Sequence, residues 1–229
     1  MRLVSSSTMR SSGQIGESLF GGEPEPRQED LAPGATLLRG FVAPEGAAIL
    51  PALWEVVQQA PFRHMITPGG FRMSVAMTNC GALGWVTDRT GYRYDPRDPA
   101  NGLPWPALPP AFAELAAKAA SQARFGGFVP DACLVNRYAA GARMSLHQDK
   151  DEQDFTQPIV SVSLGIPAVF LLGGFKRTDK TLRVRLSHGD VVVWGGPARL
   201  RYHGVLALKE AHHPVMGAYR INLTFRKAG

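Results

Sequence analysis

The chemistry-bearing residues gather in one short stretch, Met144-Ser145-Leu146-His147-Gln148-Asp149, which runs on into Lys150-Asp151-Glu152. In an extended segment side chains alternate faces, so His147 and Asp149 project to the same side. An imidazole nitrogen beside a carboxylate oxygen can hold two neighbouring positions on one divalent metal. A second histidine from a distant strand would complete a 2-His-1-carboxylate set, which caps one face of the metal and leaves the other open. The remaining histidines compete for that place. His64 lies in a region punctuated by glycine and proline, His212 and His213 precede Pro214, and His188 belongs to the turn signal Ser187-His188-Gly189-Asp190. His203, in Leu200-Arg201-Tyr202-His203-Gly204, is the one carried on a late strand. A lone histidine there is more often structural; it gains weight because the pair needs a partner and antiparallel folds bring late strands beside early ones. The set suits Fe(II), with Zn(II) and Mn(II) also compatible.

The end of the chain carries a second signal. In Arg220-Ile221-Asn222-Leu223-Thr224-Phe225-Arg226 polar and apolar residues alternate strictly. One explanation is a half-exposed strand with its polar face in water. The other turns Arg220, Asn222, Thr224 and Arg226 inward, where two guanidiniums could receive a dicarboxylate, because the planar fork of arginine pairs bidentately and stays charged when desolvated. Leu134, Asn136 and Tyr138 share one face of an earlier strand, and two of them need hydrogen-bond partners if buried. Polar faces on two strands beside a metal pair point to a wet cavity.

These residues must be positioned by elements that the 229-residue chain, long enough for one domain and a lobe, can supply. Apolar content of 45% with 19% charged residues is globular composition, and no run approaches the apolar length of a membrane span. A formal charge of +6 makes a polyanion a reasonable partner. Two cysteines, Cys80 and Cys133, are too few for a secreted disulfide scaffold and read as reduced thiols of a cytosolic chain. Residues 1–34 read as a flexible N-terminal extension. Pro44 marks a helix start, and Ile49, Leu50, Leu53, Val56 and Val57 recur at helical spacing, with Pro51 as a kink or restart. Residues 35–107 form this helix plus a lobe of short strands and loops rich in Met, Arg and aromatic residues, suited to a nucleotide-binding flap or to a small local core. Residues 108–229 form the core: a helix over 111–124, then short antiparallel strands at 132–138, 143–147, 158–164, 168–172, 182–187, 190–194, 199–206 and 219–226. That series predicts a jelly roll or related barrel.

From about Leu37 to Ala228 the chain resembles the AlkB family of Fe(II)/2-oxoglutarate-dependent dioxygenases. The likeness lies in Met65-Ile66-Thr67-Pro68-Gly69-Gly70, Met73-Ser74-Val75-Ala76-Met77-Thr78-Asn79-Cys80-Gly81, Asp131-Ala132-Cys133-Leu134, Leu146–Glu152, Gly189–Gly196 and Asn222–Arg226. The resemblance implies a mainly β (α+β) fold, a double-stranded β-helix (jelly roll) with flanking helices and an N-terminal nucleotide-recognition lid. It implies Fe(II) held by His147, Asp149 and His203. It places 2-oxoglutarate against Arg220, with Leu134, Asn136, Tyr138, Asn222 and Arg226 completing the pocket, and O2 as the second co-substrate. The alkylated base would stack between Trp85 and His147, with Asp151 and Glu152 facing its exocyclic amino edge, Met77 and Tyr92 on the nucleotide and Arg177 near the strand. The implied reaction is oxidative demethylation of 1-methyladenine or 3-methylcytosine in single- or double-stranded DNA, with RNA as a further substrate class. It releases formaldehyde, succinate and CO2. A protein or other non-nucleic-acid substrate is the alternative. The expected protein is a cytoplasmic monomer that touches no membrane. Two departures are Phe71, where the founding member of the family has a tyrosine, and Arg201, which replaces an apolar aromatic near the distal histidine.

Overall fold

The computed structural model describes residues 27–42 and 46–229; most of the expected extension and Pro44 lie outside the described residues. In chain order the elements are β1 (Arg27–Ala32), β2 (Ala35–Arg39), α1 (Gly46–Gln59), β3 (Arg63–Ile66), β4 (Arg72–Gly81), β5 (Gly84–Asp88), β6 (Gly91–Asp95), α2 (Pro110–Gln122) and β7 (Ala132–Tyr138). They continue with β8 (Met144–His147), β9 (Ile159–Gly165), β10 (Ala168–Leu172), β11 (Leu182–Leu186), β12 (Val191–Trp194), a 3-10 turn at Gly196–Ala198, β13 (His203–Val205) and β14 (Arg220–Arg226).

Two sheets face each other as a jelly roll. The larger has the order β1-β2-β12-β9-β14-β7-β4-β3, the smaller β11-β10-β13-β8, and β5-β6 stands apart as a hairpin. The period-two pattern of β14 decides the layering. Ile221, Leu223 and Phe225 face outward onto α1 and α2, packing with Leu53, Phe112 and Leu115. The Phe112 and Phe225 rings meet edge to face at 5.9 Å, a geometry favoured by their quadrupoles. Arg220, Asn222, Thr224 and Arg226 point the other way, between the sheets, and they are buried too. The intersheet space is otherwise filled by apolar side chains such as Phe170, Leu172, Val192 and Trp194. The polar face therefore lies inside the molecule, and the solvated-strand alternative is excluded.

Three expectations are corrected. Residues 27–32, assigned to the extension, form β1 and pair with β2, whose Ala35, Thr36, Leu37 and Leu38 are all buried. A strand buried on both faces shows no alternation, which is why it was unreadable. The lobe is not a separate small unit: β4, ten residues long, pairs with β7 through Cys80↔Cys133 and Met77↔Asn136, so β3 and β4 extend the large sheet. The strand expected over 199–206 shrinks to His203–Val205 because the preceding residues coil into the 3-10 turn and bury Arg199. Pro51 sits within α1 without ending it; lacking an N–H, it forfeits one intrahelical hydrogen bond.

Candidate active site

The site is set by one strand pairing. β8 and β13 lie antiparallel with His147 directly opposite His203, beside a register shift before Val205. Gly204 permits this approach: a Cβ there would sit 2.7 Å from Met144 O, a backbone atom that cannot move aside. The two imidazole centroids are 4.4 Å apart. Asp149, two residues past His147, turns back so that its Oδ1 is 3.6 Å from His147 Nε2 and its Oδ2 is 3.7 Å from His203 Nε2. One donor atom from each residue lies within 4.8 Å of the others. Both rings have Nδ1 on a backbone carbonyl, His147 on Ser145 O at 2.8 Å and His203 on Arg201 O at 3.1 Å. A carbonyl only accepts, so Nδ1 carries the proton and each Nε2 lone pair points at the shared space, as a metal requires.

Electrostatics holds the set in its ligating form. Burial pushes His203 down to about 4, helped by His147 and opposed by Asp149, so its ring is neutral at ordinary pH. Burial alone would raise Asp149, but Arg226 and the two histidines hold its carboxyl well below the usual carboxylate range. Arg226 donates to Asp149 Oδ2 from Nε at 3.0 Å and Nη2 at 2.7 Å. An anionic carboxylate beside two imidazoles whose Nε2 atoms face it fits a divalent ion, and the mixed N,O set is one that Fe(II) accepts.

Next to this centre, Arg220 lies 2% exposed between the sheets. Its Nη2 donates to Ser163 Oγ at 3.0 Å, its Nε and Nη1 have no hydrogen-bond partner, and the Tyr138 ring lies 5.0 Å away. Burial lowers its pKa, with Tyr138 opposing, and no carboxylate pairs with it among the described residues. A buried guanidinium with two idle donors is costly unless an anion completes it. Leu134, Asn136, Tyr138, Asn222 and Arg226 line the same pocket as His147 and His203. Asn136 Oδ1 is a further orphan, while Asn136 Nδ2 donates to Asn222 Oδ1 and Asn222 Nδ2 to Ser161 Oγ. A small dicarboxylate reaching from a metal held by His147, Asp149 and His203 to Arg220 would satisfy the idle guanidinium donors.

A groove of about 780 Å³ opens from the other side of the centre and collects Met77, Trp85, Tyr92, His147, Asp149, Asp151 and Arg177. Trp85 and Tyr92, on the β5-β6 hairpin, stack at 5.7 Å, and Trp85 Nε1 donates to Asp151 Oδ2 at 2.9 Å. Asn79 pins the Trp85 backbone at both ends, with 3.0 Å bonds to its N and O. Glu152 is not brought there: it is buried, and its carboxylate takes Tyr94 Oη at 2.6 Å and Arg199 Nη2 at 2.9 Å. Its expected contact with a base edge is therefore withdrawn. Sequence reading missed Arg199 and Tyr94; a signal for Tyr94 existed, since it shares a strand face with Tyr92. Phe71 lies exposed at the groove, and Arg72, Arg143 and Lys150 on its walls were missed as a cationic rim. Arg201 turns away, donating to Gly173 O at 2.8 Å beside the Phe175 ring.

Residues 34–226 match the model of the 2OG-Fe(II) oxygenase superfamily, the class to which the jelly roll and the His/Asp/His donors also point. The alpha-ketoglutarate-dependent dioxygenase AlkB of Salmonella typhimurium is 59% identical over 203 residues, covering 89% of this chain and 94% of that protein. Its Escherichia coli counterpart is 57% identical over 205 residues, covering 90% and 95%. The solved structure of OsALKBH1 superposes with a TM-score of 0.73 at 30% identity, over 88% of this chain and 100% of that one. The chain belongs to the AlkB family of dioxygenases, which use Fe(II), 2-oxoglutarate and O2.

Proposed function

We propose that the chain removes N-methyl groups from alkylated nucleobases in DNA, with RNA as a further substrate, releasing formaldehyde while 2-oxoglutarate becomes succinate and CO2. The carrying observation is the juxtaposition of the three-donor cluster, the acid-free Arg220 pocket and the aromatic, cationic groove around one point. In this reading His147, Asp149 and His203 hold Fe(II), which when loaded supplies the oxidising power for C–H hydroxylation. Arg220 takes the far carboxylate of 2-oxoglutarate, and Asn136, Tyr138, Asn222 and Arg226 orient it. Trp85 and His147 stack on the target base, Tyr92 contacts the nucleotide, and Asp151 faces the amino edge of the base. Stacking and a nearby carboxylate both favour a base made cationic by methylation. Met77 closes the pocket floor and Arg177 neutralises phosphate.

A duplex target must be flipped out, and methylation at a pairing nitrogen lowers that cost. The groove supports this substrate over a protein one, because exposed rings and guanidiniums suit bases and phosphates. Free thiols at Cys80 and Cys133 support a reducing, cytoplasmic setting. No helix among the described residues is long and apolar enough to cross a membrane.

The test is anaerobic loading with Fe(II) and 2-oxoglutarate, then air with oligonucleotides carrying 1-methyladenine or 3-methylcytosine. Formaldehyde and succinate should appear in equal amounts. Succinate without formaldehyde across DNA and RNA probes would redirect the search to proteins.

A further inference from the structure

The lid hairpin and the metal-holding carboxylate share one buried acid. Glu152 Oε1 accepts from Tyr94 Oη on β6 at 2.6 Å and lies 3.3 Å from Arg226 Nε; Oε2 accepts from Arg199 Nη2 at 2.9 Å. Arg226 Nε also donates to Asp149 Oδ2, at 3.0 Å. Arg199 closes the ring by donating from Nη1 to the Asp149 backbone carbonyl at 2.7 Å. Two carboxylates face two guanidiniums, so the ring is neutral in charge. Its one uncharged member, the Tyr94 phenol, is the member that comes from the lid.

The Nε of Arg226 has a single hydrogen and two carboxylate oxygens within reach. Which oxygen it favours depends on how much of the accepting capacity of Glu152 Oε1 is already used. Tyr94 uses it with a short, charge-assisted bond. With Tyr94 in place Arg226 leans on Asp149, the shorter contact; with Tyr94 withdrawn, Oε1 becomes the stronger acceptor and draws the guanidinium away. Arg226 lines the pocket assigned to 2-oxoglutarate, so its position is felt there.

We propose that Glu152 is a positioning residue and that the Tyr94–Glu152 hydrogen bond couples lid closure to the setting of Arg226 against Asp149 and 2-oxoglutarate. This rests on the dioxygenase reading above. Coupling between sites is reciprocal, so 2-oxoglutarate bound in the core must in turn tighten the hairpin that holds the base.

The test compares Tyr94→Phe with Thr87→Val. The latter deletes a hydroxyl of the same hairpin that donates to Ile66 O at 3.3 Å and has no route to Glu152. Both variants and the wild type are loaded with Mn(II), and the dissociation constant of 2-oxoglutarate is measured by calorimetry without nucleic acid. Hydrogen exchange of residues 84–95 is followed with and without the oxoacid. Tyr94→Phe should raise the dissociation constant roughly three- to tenfold, the loss of about one hydrogen bond, and should abolish the protection that 2-oxoglutarate confers on the hairpin. Thr87→Val should match the wild type in both. An unchanged constant for Tyr94→Phe, even with a lower melting temperature, would reduce the bond to a structural strut and overturn the coupling; so would an equal weakening by Thr87→Val. A wild-type chain that binds no 2-oxoglutarate would instead overturn the dioxygenase reading on which the coupling stands.

Discussion

Arg220 pays an energetic cost that the rest of the fold does not refund: a fully buried cation with two idle donors and, among the described residues, no acid paired with it. Replacing a buried, uncompensated charge with an apolar side chain of similar length often stabilises a protein. Arg220→Met should therefore raise the thermal midpoint of the protein free of oxoacid, while weakening 2-oxoglutarate binding by about 2–5 kcal/mol, the usual toll for removing one partner of a buried charge pair. Calorimetric melting and titration of the same samples check both halves, and a lower midpoint with unchanged affinity would refute the assignment. Trp85 acts on the other ligand. Trp85→Ala should cost about 1–3 kcal/mol in oligonucleotide affinity, the worth of one base–aromatic stack, and leave 2-oxoglutarate affinity alone; fluorescence anisotropy on a methylated single strand reports the first.

At the scale of elements, the β8–β13 pairing fixes the two imidazoles, and Gly204 sets how closely the strands approach. Gly204→Ala should leave the circular dichroism spectrum intact, because only two short strands must part. It should nevertheless cut turnover on the order of 100-fold, since a displacement near 1 Å in a catalytic constellation is that expensive. A Co(II) absorption spectrum of the variant checks whether the ligand geometry has changed. The outer face of β14 has a separate job: Ile221, Leu223 and Phe225 bind the helices. The limits of β14 could be read nearly to the residue from its polar–apolar alternation, and those of β7 and β10 from apolar runs between turn signals. β1 and β2 could not, because β2 is buried throughout and β1 is rich in charge, leaving neither with a period.

The whole molecule presents its charge unevenly. Arg72, Arg143, Lys150 and Arg177, four of the 25 Lys and Arg residues, stand exposed on the groove walls. If these meet phosphates, log affinity for a single-stranded oligonucleotide falls with log salt by about 0.7 for each contact. Arg143→Ala should flatten that slope by roughly one contact and weaken all sequences alike. Titrations at several salt concentrations would expose a misassignment as an unaltered slope.

Spacing along the chain settled what is local. His147 and Asp149 must share a side, and Arg220 must share one with Asn222 and Arg226, because strand geometry alternates side chains whatever surrounds them. Only the tertiary structure decided which side is covered. The second sheet closes over the polar face of β14 and makes it a pocket, while Tyr94 of the hairpin, Arg199 after the 3-10 turn and Arg226 of β14 take Glu152 away from the groove. Periodicity separates two faces, but which one is dry depends on packing partners far away in the chain.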